Sequence, residues 1–209
     1  MSPQPPKKES GITLDYILTA TFVNMERNGT KDKLAKQLWQ LLREKPFDKV
    51  SIGELSERAG ISRQTFYYHF NGLFDVFAWR IDSLKKSSFE SNSLIIYSFE
   101  LCRILHSQKT AVLNIYDSSF RSNLVDYIFN DMLPQSRLFL QTQIGEHLNE
   151  KDLETIARYI DFAYTGLIRD WMDSGMKEPF DGVSNTIENV LKVILKEEVV
   201  NSVLGGWSR

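Results

Sequence analysis

Val50-Ser51-Ile52-Gly53-Glu54-Leu55-Ser56-Glu57-Arg58-Ala59-Gly60-Ile61-Ser62-Arg63-Gln64-Thr65-Phe66-Tyr67-Tyr68-His69-Phe70 is the stretch whose reading decides the fold. Ser51 followed three residues later by Glu54 has the spacing of a capping box and opens a helix with Ile52, Leu55 and Ala59 on one side. Gly60 comes next, a residue free to take a positive φ in a tight turn between helices. Ser62 can cap a second short helix, Arg63–His69, before Asn71-Gly72 breaks the chain again. Two helices of about two turns each, joined through Gly60-Ile61-Ser62, read as a helix-turn-helix.

The second of these helices carries the chemistry. Phe66 and Phe70 stand four residues apart and can enter a small core with Leu55, Ile61 and Phe74. Arg63, Gln64, Thr65, Tyr67, Tyr68 and His69 are left to face outward. A guanidinium can hold guanine O6 and N7 with two hydrogen bonds, and a carboxamide can hold adenine N6 and N7. Hydroxyl and imidazole groups donate to phosphate oxygens. The bland alternative is a surface helix with chance polar residues. The turn glycine, both caps and the basic surroundings coincide against it.

Working upstream, Pro- and Lys-containing residues 1–11 read as disordered; the bland reading is a solvated tail, and the alternative is a basic arm whose Lys7 and Lys8 reach a minor groove. Residues 13–27 place Leu14, Ile17, Leu18, Phe22 and Met25 at helical spacing, and Asn28-Gly29 is expected to end that helix. Thr30 would then cap another, with Leu34, Leu38, Leu41 and Leu42 as its apolar stripe and Pro46 as its stop. Downstream, the periodicity predicts helices over 73–86, 94–106, 110–117, 120–143 (kinked or broken at Pro134), 152–174 and 181–203. The fold class is therefore all-α: an extension at 1–29, a three-helix DNA-binding domain at 30–86, and a helical ligand-binding and dimerisation domain at 87–209.

Charge and composition narrow the function. The 209 residues carry a net charge of -2, but residues 30–86 hold 11 basic and 7 acidic groups, whereas 87–209 hold 11 and 17. A basic module joined to an acidic one suits a phosphate-facing head on a body with another task. No run of apolar residues is long enough to span a bilayer, so no membrane partner is expected. The single cysteine, Cys102, and the absence of a signal-like N-terminus imply a cytoplasmic protein. Cys102 and His106 have the spacing of two metal ligands on a helix, but no second pair accompanies them, so no metal and no cofactor are expected. There is no G-x-S-x-G, no H-E-x-x-H and no phosphate-cradling glycine loop, and an enzyme is not expected.

The quoted stretch resembles the DNA-binding signature of the tetracycline-repressor (TetR) family over residues about 31–80. The Phe47-Asp48-Lys49 lead-in and Arg63-Gln64-Thr65-Phe66-Tyr67 look like the branch that includes the dihydroxyacetone-kinase regulators. Tyr164-Thr165-Gly166-Leu167-Ile168 with Trp171-Met172-Asp173-Ser174-Gly175 is similar to the penultimate helix of that branch. The resemblance implies that Ser51, Thr65, Tyr67 and His69 touch phosphates, that Arg63, Gln64 and Tyr68 read bases, and that Ser62 lies at the same interface. Many members carry a lysine just after the recognition helix. Here the chain reads Asn71-Gly72-Leu73, so a phosphate at that corner would need backbone amides of the following helix.

Assembly is the remaining expectation. Residues 152–174 and 181–203 are apolar on more than one side, and Gly166 would admit a close neighbour, so these helices read as half of an intermolecular four-helix bundle. The expected partners are thus a second copy and a palindromic operator in double-stranded DNA, with a small-molecule effector in the larger domain. The alternative is a regulator or activator whose larger domain binds a protein instead.

Overall fold

Leu34, Leu38, Leu41 and Leu42 line one side of a helix, and all four are buried. In the computed structural model, which describes residues 14–86, 93–145 and 148–194, they belong to α1, Leu14–Glu44. After a single 3₁₀ turn at Phe47–Lys49 come α2, Ile52–Arg58, α3, Arg63–His69, and α4, Leu73–Lys86. The larger domain adds α5, Leu94–Ser107, α6, Lys109–Tyr116, α7, Arg121–Ile144, α8, Glu150–Asp173, and α9, Phe180–Ile194. No strand occurs among the described residues. The arm at 1–11 and the expected end of the last helix, 195–203, lie outside them.

Two expectations change. The break at Asn28-Gly29 is absent: α1 continues through it, so Thr30 is an interior residue and not a cap. Asn and Gly each cost a helix at most about 1 kcal/mol relative to Ala, which a buried leucine stripe just downstream offsets. Pro134 likewise sits inside one continuous α7. Leu124, Ile128 and Met132 before it and Leu140 after it are buried, and this packing carries the helix past the missing amide.

The two domains meet along α1, α4 and α6. Asn114 of α6 spends one side chain on the end of α1: its Nδ2 donates to the carbonyl oxygens of Leu42 (2.8 Å) and Lys45 (2.9 Å), and its Oδ1 accepts from the Phe47 amide (2.6 Å). Those carbonyls lie at a helix C-terminus, where intrahelical donors run out. Asp48 answers from the other side, accepting from the Ser119 amide (3.1 Å) and hydroxyl (2.7 Å). Phe120 closes the junction, edge-on to Phe47 and stacked on Phe74 at centroid distances of 5.0 and 6.4 Å. Further along α4, Lys85 pairs with Asp82 and Asp131, while Tyr127 and Tyr97 donate to those same carboxylates at 2.7 Å.

Within the larger domain α7 lies along α8, and one polar group is buried between them. Asp161 is fully buried; its Oδ1 accepts from the Ser136 hydroxyl at 2.5 Å and its Oδ2 has no hydrogen-bond partner. Burial pushes its pKa up to about 6, against the pull of the Ser136 hydrogen bond. Cys102 is buried too, 3.7 Å from the Tyr164 hydroxyl, and burial raises its thiol pKa. His106 stacks on Trp171 at 5.9 Å. Cys102 and His106 are thus engaged separately, and no cluster of three metal-ligating residues occurs among the described ones. No helix there is long and apolar enough to cross a membrane.

Candidate nucleic-acid interface

Local chemistry sets the two short helices. The Ser51 hydroxyl accepts from the Glu54 amide (3.1 Å), and the Ser62 hydroxyl accepts from the Thr65 amide (3.0 Å). Each bond satisfies one of the amides that a helix N-terminus leaves open. Only half of the expected capping box forms, because the Glu54 carboxylate turns to Lys45. Gly60 takes φ +62°, the left-handed conformation that the turn into α3 requires.

Phe66 and Phe70 anchor α3 as expected. Phe66 is fully buried, Phe70 nearly so, and their rings lie 6.1 Å apart. Phe70 also meets the Trp79 ring at 6.2 Å, and the Lys31 ammonium lies 5.3 Å over its face. With that side fixed, the opposite side must meet solvent. Ser62, Arg63 and Gln64 are exposed, while Thr65 and His69 are half-buried at the edge. Tyr67 and Tyr68 are 58% and 66% exposed. Two phenols side by side on a seven-residue helix offer flat rings and hydroxyl donors to whatever covers this side. Ser51 is exposed one helix away. Seven of the eight expected residues thus stand on one short helix and its entry turn, and the eighth, Ser51, caps the start of α2.

Two neighbours escaped the sequence reading. The Arg63 guanidinium lies across the first turn of α2, where a Cβ on Gly53 would collide with it. Gly53 reads in sequence as a weak helix residue, and only the fold reveals that its missing side chain makes room. Lys33 of α1 brings its ammonium to 3.6 Å from where a Cβ on Gly60 would stand, adding positive charge beside the turn. Other basic groups are spent internally: Arg58 grips Glu44 with two bonds of 2.7 and 2.6 Å, which holds that carboxyl below its usual range, and Arg80 meets Asp32 at 3.5 Å.

At the corner after α3, the Asn71 amide, just ahead of the α4 amides expected to receive a phosphate, donates to the Asp75 carboxylate at 3.0 Å. An acidic residue in the first turn of α4 stabilises that helix end through its dipole and disfavours a second anion at the same spot.

Residues 34–72, which include α2 and α3, match the family model described as "Bacterial regulatory proteins, tetR family". Residues 95–193 match a second, TetR-type model described as "Transcriptional regulator C-terminal region". A solved structure, "Dihydroxyacetone kinase operon activator DhaS", superposes with a TM-score of 0.59 at 19% identity, covering 79% of this chain and 96% of that one. At that identity the likeness is one of fold. No curated protein matches the sequence.

Proposed function

This chain belongs to the TetR family of DNA-binding transcriptional regulators, and from that premise we propose that it is a cytoplasmic homodimer that represses from a palindromic operator and releases it when the larger domain takes an effector. The observation that carries the reading is the outward side of α3. Arg63, Gln64 and Tyr68 are exposed there and are assigned the base edges in this reading, with Ser51, Ser62, Thr65, Tyr67 and His69 assigned the phosphates. The working division is a DNA-binding head at 30–86 and a regulatory body at 87–209, with 1–29 as an extension.

The second copy is proposed from the outer side of α8 and α9. Tyr159, Phe162, Val190 and Val193 are exposed there, at 71%, 59%, 42% and 56%. Nothing lies within 4 Å of where a Cβ on Gly166 would be, so a second backbone can approach. A two-fold pairing of this face would carry two α3 helices to successive major grooves. The junction at Asn114 and Asp48 would make any shift of α6 move the end of α1, and with it the separation of the two α3 helices.

The experiment is a footprint on duplex DNA enriched from a random pool by the protein. The expected protection is two symmetric half-sites whose centres lie about one helical turn, or a whole number of turns, apart. Transcription in vitro from a template carrying that site gives the sign of regulation: falling transcript is the expected repression, and rising transcript would assign the activator role.

A further inference from the structure

A cavity of about 150 Å³ runs inward from the α8–α9 side, and its walls come from α5, α7, α8 and α9. Its floor is Leu94, Met132, Ile160, Tyr164 and Ile187, all buried. The mouth is formed by Tyr159 and Val190, both exposed, with Ala163 between them. Almost no polar surface faces it. The one hydroxyl on the floor is turned away: Tyr164 reaches to Cys102 and to the Ser98 carbonyl of α5 (3.5 Å), so only its ring borders the space. Burial raises that phenol's pKa and keeps it neutral.

We infer that this cavity is the effector site and that it takes a small uncharged hydrocarbon or aromatic molecule. The inference rests on the effector reading above and names the site and the ligand class. Aliphatic and aromatic walls offer a water at the floor almost no hydrogen bonds, so an apolar guest of about benzene's size displaces it at little cost. A charged or multiply hydroxylated ligand would be desolvated with nothing to replace its hydration. The Tyr159 hydroxyl at the rim, on the face proposed to pair with a second copy, admits one polar end at most. Depth separates this cavity from a mere dimer seam, since its floor reaches Met132 of α7 and Leu94 of α5, behind the α8–α9 layer.

The test titrates the full chain, methyl-labelled at Met and Ile, with benzene, and with glycerol as the polar control. Saturable shifts are expected at the Met132 and Ile187 methyls, with none at Ile81 in the buried core of α4 and none with glycerol. Ile160→Phe, which fills the floor, should abolish the benzene shifts while keeping a cooperative thermal transition. Crystals of the unaltered chain under xenon give an independent reading that needs no substitution: a xenon atom between Met132, Tyr164 and Ile187 supports the site. Absence of shifts up to the solubility limit of benzene overturns the inference, and so does a side chain of a second copy filling the space. Operator binding is measured on the same samples. A chain that binds DNA but not benzene overturns this inference and leaves the regulator reading standing. A chain that binds benzene but no duplex overturns the regulator reading alone.

Discussion

Arg63 and Gln64 sit in the first turn of α3, exposed and backed by the sealed ring of Phe66. A side chain that reads a base contributes on the order of 1–3 kcal/mol at that base and nothing elsewhere, whereas a phosphate contact helps every sequence alike. Arg63→Ala and Gln64→Ala are therefore expected to lose about that much on the enriched duplex and far less on a scrambled one. Tyr67→Phe should weaken both to the same degree. Anisotropy titrations of the two duplexes check this, and equal losses for Arg63→Ala would remove it from the base-reading set. Asp161 supplies a prediction about pH. Its folded pKa of about 6 lies above the ordinary value of 3.8, so the fold favours the protonated acid. Both states are protonated below about pH 4, and no penalty exists there. The penalty grows as pH rises through that window and is complete above about pH 6. The groups that face the carboxyl are the Ser136 hydroxyl from α7 and Glu154 and Arg158 from its own helix, and burial outweighs them. Asp161→Asn should thus stabilise the protein by roughly 1–2 kcal/mol at pH 7.5, with the gain shrinking toward pH 4 in thermal melts.

At the scale of elements, the junction between head and body depends on how a helix ends. Asn114 satisfies the Leu42 and Lys45 carbonyls and the Phe47 amide together, so its loss strands three backbone groups at a half-buried place. Asn114→Ala is expected to lower stability by about 1–3 kcal/mol in denaturant titrations, and hydrogen exchange should quicken at Phe47 before it quickens at Phe66. Uniform quickening across both would mean that the junction has no local role. Legibility in sequence follows the same division between near and far. The bounds of α3 and the start of α2 are legible because their caps and turn are local: Ser51, Gly60 and Ser62 each act within three residues of themselves. The bounds of α4 are legible for the same reason, since Asn71-Gly72 precedes it. The continuation of α1 through Asn28-Gly29 was not readable, because a weak local break lost to a leucine stripe beyond it. Neither were the Arg63–Gly53 overlap, the Asn114 bridge and the Asp161 burial, each of which joins residues that only tertiary packing brings together. The cavity belongs with them, since aromatic residues of the larger domain look alike in sequence whether they fill space or border it.

The whole molecule is proposed to act as a pair. Phe162→Glu places a charge on the outer face of α8, where a second copy would bury it twice over, at a cost of several kcal/mol per copy. The expected outcome is a monomer by sedimentation whose far-ultraviolet circular dichroism is unchanged and whose operator binding is lost. A wild-type chain that is already monomeric at micromolar concentration would contradict the pairing.

The most direct measurement of the central claim, that α3 binds and reads DNA, is the salt dependence of affinity for the enriched duplex and its scrambled counterpart. The head carries a local surplus of basic groups despite a chain total of -2. Lys45, Arg58, Arg80 and Lys85 are held by carboxylates, so fewer charged contacts per subunit remain to release counterions than the basic total suggests. At about -0.9 in log affinity against log salt for each phosphate neutralised, two such contacts in each of two subunits give a slope near -4. The account predicts that slope on both duplexes, with the enriched one bound at least about 10³-fold more tightly throughout. A slope near zero together with equal affinity for the two duplexes would contradict it.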